Sequence, residues 1–177
     1  MARKVFVAAT GQNSGKTTTS LSLMYMARKK YRRVGFIKPF GPKPSVARNG
    51  MVADKDAALM AEVFDLEKDL PLMSPLVLHP GDTQKYLEGE LSGAEMERKM
   101  FHAIDELDRK NDFLIIEGAG HTGVGSVLGF SNARVAKIAD APVVMVTGGG
   151  VGNVVDSAYM NLALFEKEQA DVRAVLV

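Results

Sequence analysis

The sequence has no cysteine among its 177 residues. This absence excludes disulfide bonds, thiolate metal sites and a cysteine nucleophile from the chain. Long apolar runs are missing as well, and the run nearest the N-terminus, Val5 to Ala9, is shorter than the apolar part of a signal peptide or a membrane span. We therefore expect a cytoplasmic protein without a membrane partner.

An excess of charge of one sign is also absent, because 22 Lys and Arg residues are balanced by 21 Asp and Glu residues. The chain has no overall field that attracts nucleic acid, so any anion binding must come from a local site. Apolar residues make up 46% and charged residues 24%, as in folded soluble domains. No repeat or linker interrupts the sequence, and we predict a single domain over residues 1–177.

Apolar segments alternate with helical patterns along the chain. This alternation predicts a doubly wound α/β fold, with a mostly parallel sheet and helices on both faces. The predicted strands cover residues 5–9, 34–40, 113–117, 143–147 and 172–177, with a brief extended segment at 76–78. The predicted helices cover residues 15–30, 54–64, 92–110, 133–138 and 154–168. In such folds ligands bind beyond the carboxyl ends of the strands.

Two further predictions concern the buried face of the first helix and the end of the last strand. In the first helix, Leu21, Met24 and Met26 are expected to face the sheet. The last predicted strand is apolar up to Val177, and a buried strand seldom ends a domain without a covering element. We therefore expect the chain to be the N-terminal segment of a longer polypeptide, the rest of which holds part of the site.

A phosphate-binding loop is predicted between the first strand and the first helix. Residues 10–17, TGQNSGKT, match the pattern G-x-x-x-x-G-K-[ST] except that Thr10 replaces the first glycine. Backbone N–H groups at a helix start converge on an anion, Lys16 can reach the β- and γ-phosphates, and the Thr17 hydroxyl can bind Mg²⁺. The alternative is a polar turn with a solvated lysine.

Carboxylates suited to Mg²⁺ occur at two other places, since this ion prefers oxygen ligands. Glu117 ends an apolar strand and precedes Gly-Ala-Gly, although a solvated glutamate at a strand end is the alternative. Asp56 lies at a helix start, where the helix dipole alone favours an acidic residue. Asp54 competes with Asp56 for the same role.

Three motifs together resemble the dethiobiotin synthetase family: TGQNSGKT at residues 10–17, GFIKPFG at 35–41 and FLIIEGAG at 113–120. That family includes cobyrinic acid a,c-diamide synthase and the synthetase-like N-terminal domain of some phosphotransacetylases, the type that this chain resembles most. The resemblance extends from about Val5 to the end of the chain. Threonine is common at the first loop position of the family, so Thr10 is interpreted as a family variant of the P-loop.

The resemblance implies ATP and Mg²⁺ as cofactors and assigns roles to individual residues. Lys16 is implied to bind the phosphates, and Lys38 to lie beside the γ-phosphate and the acceptor, which makes these two the catalytic residues. Thr17, Asp56 and Glu117 are implied to bind Mg²⁺. The segment Asp56-Ala-Ala-Leu-Met is what favours Asp56 over Asp54 as the family aspartate. The implied nucleotide contacts are Thr10, Gly11, Gln12, Asn13, Ser14, Gly15, Lys16, Thr17, Thr18, Glu117 and Gly118.

The reaction of the family phosphorylates a carboxylate or carbamate with ATP, and an amine then attacks the mixed anhydride. The implied partners are a nucleotide and a small carboxylate- or amine-bearing substrate, and homodimers are common in the family. Amidation of cobyrinate also needs ammonia from a glutaminase domain with a cysteine, which this chain lacks. Two function classes follow: an ATP-dependent ligase, or a nucleotide-sensing domain of a larger protein such as a phosphotransacetylase.

This chain departs from true dethiobiotin synthetases on the predicted substrate side. Asn13 replaces an acidic residue, Phe40-Gly41-Pro42 replaces small hydroxyl residues, and His121 replaces a second glycine. The resemblance therefore implies ATP binding but not diaminopelargonate as the acceptor. We interpret His121 as a solvated loop residue rather than a general base.

A glycine-rich segment at residues 146–156, VTGGGVGNVVD, is similar to a dinucleotide-binding motif. Only about 20 residues follow it, too few for the second strand-helix unit and the acidic ribose contact of such a site. We predict a flexible loop beside the active site that joins a strand to a helix.

Overall fold

The computed structural model describes all residues, 1–177, as seven strands, seven helices and two short 3₁₀ turns. The strands are β1 (Arg3–Ala9), β2 (Val34–Ile37), β3 (Pro44–Val46), β4 (Val52–Asp54), β5 (Phe113–Glu117), β6 (Val143–Val146) and β7 (Val172–Leu176). The helices are α1 (Lys16–Arg28), α2 (Lys55–Phe64), α3 (Leu70–Met73), α4 (Asp82–Leu87), α5 (Gly93–Lys110), α6 (Asn132–Ile138) and α7 (Val151–Lys167). The 3₁₀ turns are Glu67–Asp69 and Ser126–Leu128.

Five strands form one parallel sheet in the order β2-β5-β1-β6-β7, and β3 and β4 form a separate antiparallel hairpin. Side chains of β1 alternate between two cores. Phe6 and Ala8 pack in the core on the side of α5 and α6, whereas Val5 and Val7 pack in the core on the side of α1 and α2. Helices therefore cover both faces, which confirms the predicted doubly wound α/β fold.

The predicted α5 is confirmed closely, because its signals are strong and local. Ser92 caps the helix by accepting a hydrogen bond from the Glu95 N–H at 3.3 Å. All five predicted apolar positions are buried against the sheet: Met96, Met100, Ala103, Ile104 and Leu107.

Four expectations about element limits, faces and burial are wrong. The last strand, expected to be buried, is the edge strand β7, in which Val175 is 39% and Leu176 44% exposed. The second strand ends at Ile37, because the backbone N–H of Lys38 donates instead to the Met73 carbonyl. Met26 is exposed, because it lies about 200° around α1 from the buried Met24. The last helix begins at Val151, so the loop predicted in the glycine-rich segment is limited to residues 147–150.

The sequence analysis also missed the β3-β4 hairpin and the short helices α3 and α4. The predicted segment at 76–78 is extended, and Val77 makes an isolated parallel bridge with Gly41. None of the helices combines the length and the apolar character needed to cross a lipid bilayer.

The topology brings the candidate residues to one edge of the sheet. The loop at residues 10–15 follows β1, Lys38 follows β2, and Glu117 ends β5. These three strands are neighbours and run in the same direction, so their carboxyl ends lie side by side.

Candidate active site

The loop between β1 and α1 adopts a conformation that tolerates Thr10. The backbone of Thr10 is not in the left-handed region, so its Cβ causes no strain. Its N–H donates to the Val146 carbonyl at 3.0 Å, and its hydroxyl lies 3.2 Å from that of Thr147. Glycine is needed instead at Gly15, the N-cap of α1, where φ is 91°. The loop can therefore form without the first glycine of the common pattern.

Lys16 begins α1 and folds back over the loop. Its Nζ donates to the carbonyl oxygens of Gly11 at 3.2 Å and Gly120 at 2.7 Å. Burial is the main cause that lowers the pKa of Lys16 to about 8; the carboxylate of Glu117 opposes this shift, and the ammonium of Lys38 adds to it. An ammonium in these surroundings is stabilised by a bound anion.

Lys38 is a buried ammonium surrounded by three carboxylates. Its Nζ lies 3.4 Å from Asp54 Oδ1 and 3.2 Å from Glu117 Oε1, and it also forms an ion pair with Asp56. Burial alone would lower the pKa of Lys38, but the charges of Glu117, Asp54 and Asp56 raise it above its ordinary value. A buried lysine without such partners would be strongly destabilising. The ion cluster thus fixes the end of β2 against β5 and α2.

Asp54 and Asp56 have different surroundings although only one residue separates them. Asp54 is fully buried and caps α2, accepting hydrogen bonds from the N–H groups of Asp56 at 3.0 Å and Lys43 at 3.2 Å. Asp56 instead lines the cavity in front of the loop. The carboxylate of Asp56 can therefore reach a ligand, while that of Asp54 holds the backbone.

Glu117 is fully buried at the end of β5 and is incompletely paired. Burial raises its pKa, and the neighbouring charge of Lys38 partly opposes this shift. Its Oε1 lies 3.4 Å from the Thr17 hydroxyl, whereas its Oε2 makes no hydrogen bond of good geometry, although the nearby Ser20 hydroxyl helps to lower the pKa of this carboxyl. A buried carboxylate oxygen without a partner is unusual and is suited to a cation or a donor supplied by a ligand.

These groups enclose a cavity of about 210 Å³ at the carboxyl ends of the strands. A larger groove of about 530 Å³ lies at the opposite edge, near Pro142 and Asp171, away from these groups. Of the predicted site residues, those that line the cavity are Gln12, Asn13, Lys16, Thr17, Lys38, Asp56 and Glu117. Those that do not line it are Thr10, Gly11, Ser14, Gly15, Thr18 and Gly118.

Comparison with known proteins identifies the family to which this chain belongs. A family model described as "AAA domain" matches residues 3–177. The chain belongs to this AAA domain family.

The proteins to which this AAA domain is similar in sequence include a synthetase and a synthase. The chain is 26% identical to "ATP-dependent dethiobiotin synthetase BioD" of Methanocaldococcus jannaschii, over 98% of this chain and 78% of that protein. It is 24% identical to "Cobyric acid synthase" of Lachnoclostridium phytofermentans, over 96% of this chain but only 36% of that protein. The predicted resemblance to the dethiobiotin synthetase family is confirmed, at low identity.

Solved structures of low identity share the fold of this AAA domain. The chimerical protein CapA2B2 has a TM-score of 0.61 at 17% identity, covering 99% of this chain and 76% of its own. The kinase domain of VpsO has a TM-score of 0.59 at 13% identity, covering 99% and 84%. These matches support the parallel α/β architecture.

The loop after β5 of the AAA domain is held by Asn132, which the sequence analysis missed. Its side chain accepts from the Ala119 N–H at 3.0 Å and donates to the carbonyls of Ala119 and His121, both at 2.6 Å. A Cβ on Gly118 would lie 2.8 Å from Asn132 Oδ1, so glycine is required there by packing. No sequence motif marks Asn132, because its partners are backbone atoms more than ten residues away.

Two lysines in the cavity wall were also missed. Lys43 and Lys55 flank the β3-β4 hairpin and line the cavity together with Pro42 and Val124. A lysine between two prolines, in Pro42-Lys43-Pro44, was the available signal.

His121 lies outside the cavity of the AAA domain. It is exposed, and its Nδ1 accepts a hydrogen bond from the Gly123 N–H at 3.2 Å. It lines a separate groove with Thr10 and Met160. This position agrees with its interpretation as a solvated loop residue.

Proposed function

We propose that this AAA domain binds Mg²⁺ and ATP and activates a carboxylate or carbamate, as a ligase-type enzyme. The observation that carries the proposal is the shared cavity of Lys16, Lys38, Asp56 and Glu117 in front of a P-loop. Two ammonium groups beside two carboxylates are suited to a polyphosphate and a metal ion that face an anionic acceptor. The 26% identity to an ATP-dependent dethiobiotin synthetase supports ATP as the nucleotide.

The chain offers part of a Mg²⁺ site. The unpaired Glu117 Oε2, the Thr17 hydroxyl and the Asp56 carboxylate are oxygen ligands of the kind that Mg²⁺ prefers. No cluster of three or more His, Cys, Asp or Glu side chains is arranged to hold a metal by itself. The residues fit an ion that is bound partly by phosphate and water, and when bound Mg²⁺ would offset charge on the transferred phosphoryl group.

The proposed reaction has two steps. First, an oxygen of the acceptor carboxylate forms a bond to the γ-phosphorus while the bond from this phosphorus to the β,γ-bridging oxygen breaks, and ADP leaves with that electron pair. Lys16 and Lys38 offset the negative charge that develops. Second, an amine attacks the acyl carbon, phosphate leaves, and the amine loses a proton to solvent. The domain itself contributes positioning and charge.

A turnover assay tests this proposal. The wild-type protein is expected to release ADP and phosphate from Mg²⁺ and ATP when an acceptor is added, either diaminopelargonate with bicarbonate or a simple carboxylate with an amine. Lys38→Met should lower acceptor-dependent release about 100-fold or more, a larger factor than the rise in the nucleotide Kd, because Lys38 faces the reacting groups in the proposed complex. Lys137→Met, at an exposed lysine of α6, is the matched control.

Loss of Lys38 leaves three carboxylates without a counter-ion, so folding is checked by circular dichroism. Lys38→Arg keeps the charge but changes the donor geometry, and it should also lower turnover. Tight nucleotide binding without release of ADP and phosphate in the presence of any of these acceptors would contradict the proposed ligase activity.

That outcome would favour the second candidate, a nucleotide-sensing domain of a larger protein such as a phosphotransacetylase. The specific observation behind it is that Phe40-Gly41-Pro42, of which Pro42 lines the cavity, stands where true dethiobiotin synthetases have small hydroxyl residues. The match covers only 36% of the cobyric acid synthase, and in that relative the similar region is therefore one part of a longer chain. A homodimer and a cytoplasmic location remain part of both proposals.

A further inference from the structure

Lys43 and Lys55 lie at the mouth of the cavity, and the P-loop motif does not account for either. Both side chains are exposed, and both line the cavity that contains Lys16 and Lys38. Neither ammonium forms an ion pair with a carboxylate, in contrast to Lys38 with its three partners. The cavity mouth therefore presents two uncompensated positive charges.

The hairpin holds these two lysines together. Lys43 precedes β3 and Lys55 follows β4, and the N–H of Lys55 donates to the Lys43 carbonyl at 3.0 Å. The N–H of Lys43 donates in turn to the buried Asp54 carboxylate at 3.2 Å. Pro42 and Pro44 restrict the backbone on both sides of Lys43. The backbone positions of both lysines are thus fixed relative to the ion cluster.

Helix stability does not explain Lys55. It is the first residue of α2, where the positive end of the helix dipole disfavours a cation. Lys43 is among the charges that lower the pKa of Lys16, so its field reaches the phosphate end of the cavity. Both lysines raise the positive potential where an anion would enter.

A count of charges shows what the two lysines change. Lys16 and Lys38 face Asp54, Asp56 and Glu117, so the inner site has a formal charge of about −1, and the Mg²⁺ complex of ATP adds about −2. The net negative charge of the site and the bound nucleotide would repel an anionic acceptor. Lys43 and Lys55 offset about two of these charges on the side from which the acceptor approaches.

We propose that the acceptor is a dicarboxylate: one carboxylate reacts beside Lys38, and Lys43 and Lys55 bind the second at the cavity mouth. This inference rests on the proposed function and adds the substrate class to it. Two ammonium groups without partners match one additional anionic group, whereas a monocarboxylate would leave them unpaired.

Binding of unbranched dicarboxylates tests the inference. Wild-type protein saturated with Mg²⁺ and a nonhydrolysable ATP analogue is titrated calorimetrically with dicarboxylates from malonate to azelate, and with monocarboxylates of matched chain length. At least one dicarboxylate is expected to bind about tenfold more tightly than its matched monocarboxylate. Raising the salt concentration should reduce this preference, because both lysines are exposed.

A double variant, Lys43→Ala with Lys55→Ala, should abolish the roughly tenfold dicarboxylate preference. Because both charges also raise the potential of the whole cavity, the Kd of the ATP analogue and of the monocarboxylates should rise, but by less than the Kd of the preferred dicarboxylate. The matched control, Lys137→Ala with Lys167→Ala, changes two exposed lysines outside the cavity and should retain the dicarboxylate preference. Equal binding of both acid series by wild type, or an unchanged preference in the double variant, would overturn the inference. Failure of the ATP analogue to bind wild type would instead contradict the proposed function.

Discussion

Lys16 and Lys38 are both buried, yet their surroundings shift their pKa values in opposite directions. Lys16 contacts two carbonyl oxygens, and burial lowers its pKa to about 8. Lys38 contacts three carboxylates, which raise its pKa despite burial. A bound polyphosphate therefore stabilises the charged form of Lys16 far more than that of Lys38, which already has partners. The two lysines have different parts in binding.

The pH dependence of nucleotide binding should reveal Lys16. Below its pKa of about 8 the free protein already carries the proton, so Lys16 adds no pH dependence. Above that pH, binding requires proton uptake, and the Kd should rise by up to about tenfold per pH unit. Fluorescence titration of a labelled ATP analogue between pH 7 and about pH 9.5 measures this.

Lys16→Arg provides the comparison, because a guanidinium does not titrate in this range. The Kd of this variant for the ATP analogue should be higher than that of the wild type at neutral pH but nearly constant as the pH rises. The same slope in both proteins would assign the pH dependence to another group.

The loop between β2 and β3 depends on Gly41 for its close approach to the ion cluster. A Cβ at this position would lie 2.4 Å from the Asp54 Cβ and 2.8 Å from its Oδ2. Asp54 cannot retreat freely, because it caps α2 and contacts Lys38. Glycine is therefore required to pack this loop against α2.

Gly41→Ala is expected to lower the free energy of unfolding by about 1–3 kcal/mol through overpacking. Urea denaturation followed by circular dichroism measures this change. Gly149→Ala is the control, since a Cβ there meets no atom within 4 Å and φ is not positive, and it should change stability by less than about 0.5 kcal/mol. Equal stabilities of the two variants would contradict the role of Gly41.

The secondary-structure elements differ in how far local sequence determines them. α5 has a cap, an amphipathic face and basic residues in its last turn, and its predicted limits are nearly those observed. The β3-β4 hairpin has three-residue strands with little periodicity, and contacts with α2 stabilise it. Such short strands are unstable alone, so their sequence carries no clear signal.

The parallel sheet couples the site to the stability of the whole molecule. The P-loop joins the central strand β1 to α1, and residues from three neighbouring strand ends meet in one cavity. A ligand that bridges these ends stabilises the native state relative to the unfolded chain.

Mg²⁺ with ATP at about 100 times its Kd should therefore raise stability by about 2.7 kcal/mol. This corresponds to an increase of roughly 5–10 °C in Tm for a domain of this length. Differential scanning fluorimetry with and without Mg²⁺ measures it. Glu117→Gln should lose the additional stabilisation by Mg²⁺ but keep that by ATP alone, and an undiminished Mg²⁺ effect would exclude Glu117 as a ligand.

The amino-acid sequence by itself determined the fold class, the P-loop and the family of this protein, because continuous apolar strands and the Gly15-Lys16-Thr17 turn are local patterns. Tertiary structure alone decided that Asp54 is buried as the cap of α2, that Asn132 holds the loop after β5, and that Lys43 and Lys55 line the cavity mouth. These positions depend on contacts between residues distant in sequence, and local propensity does not encode such contacts.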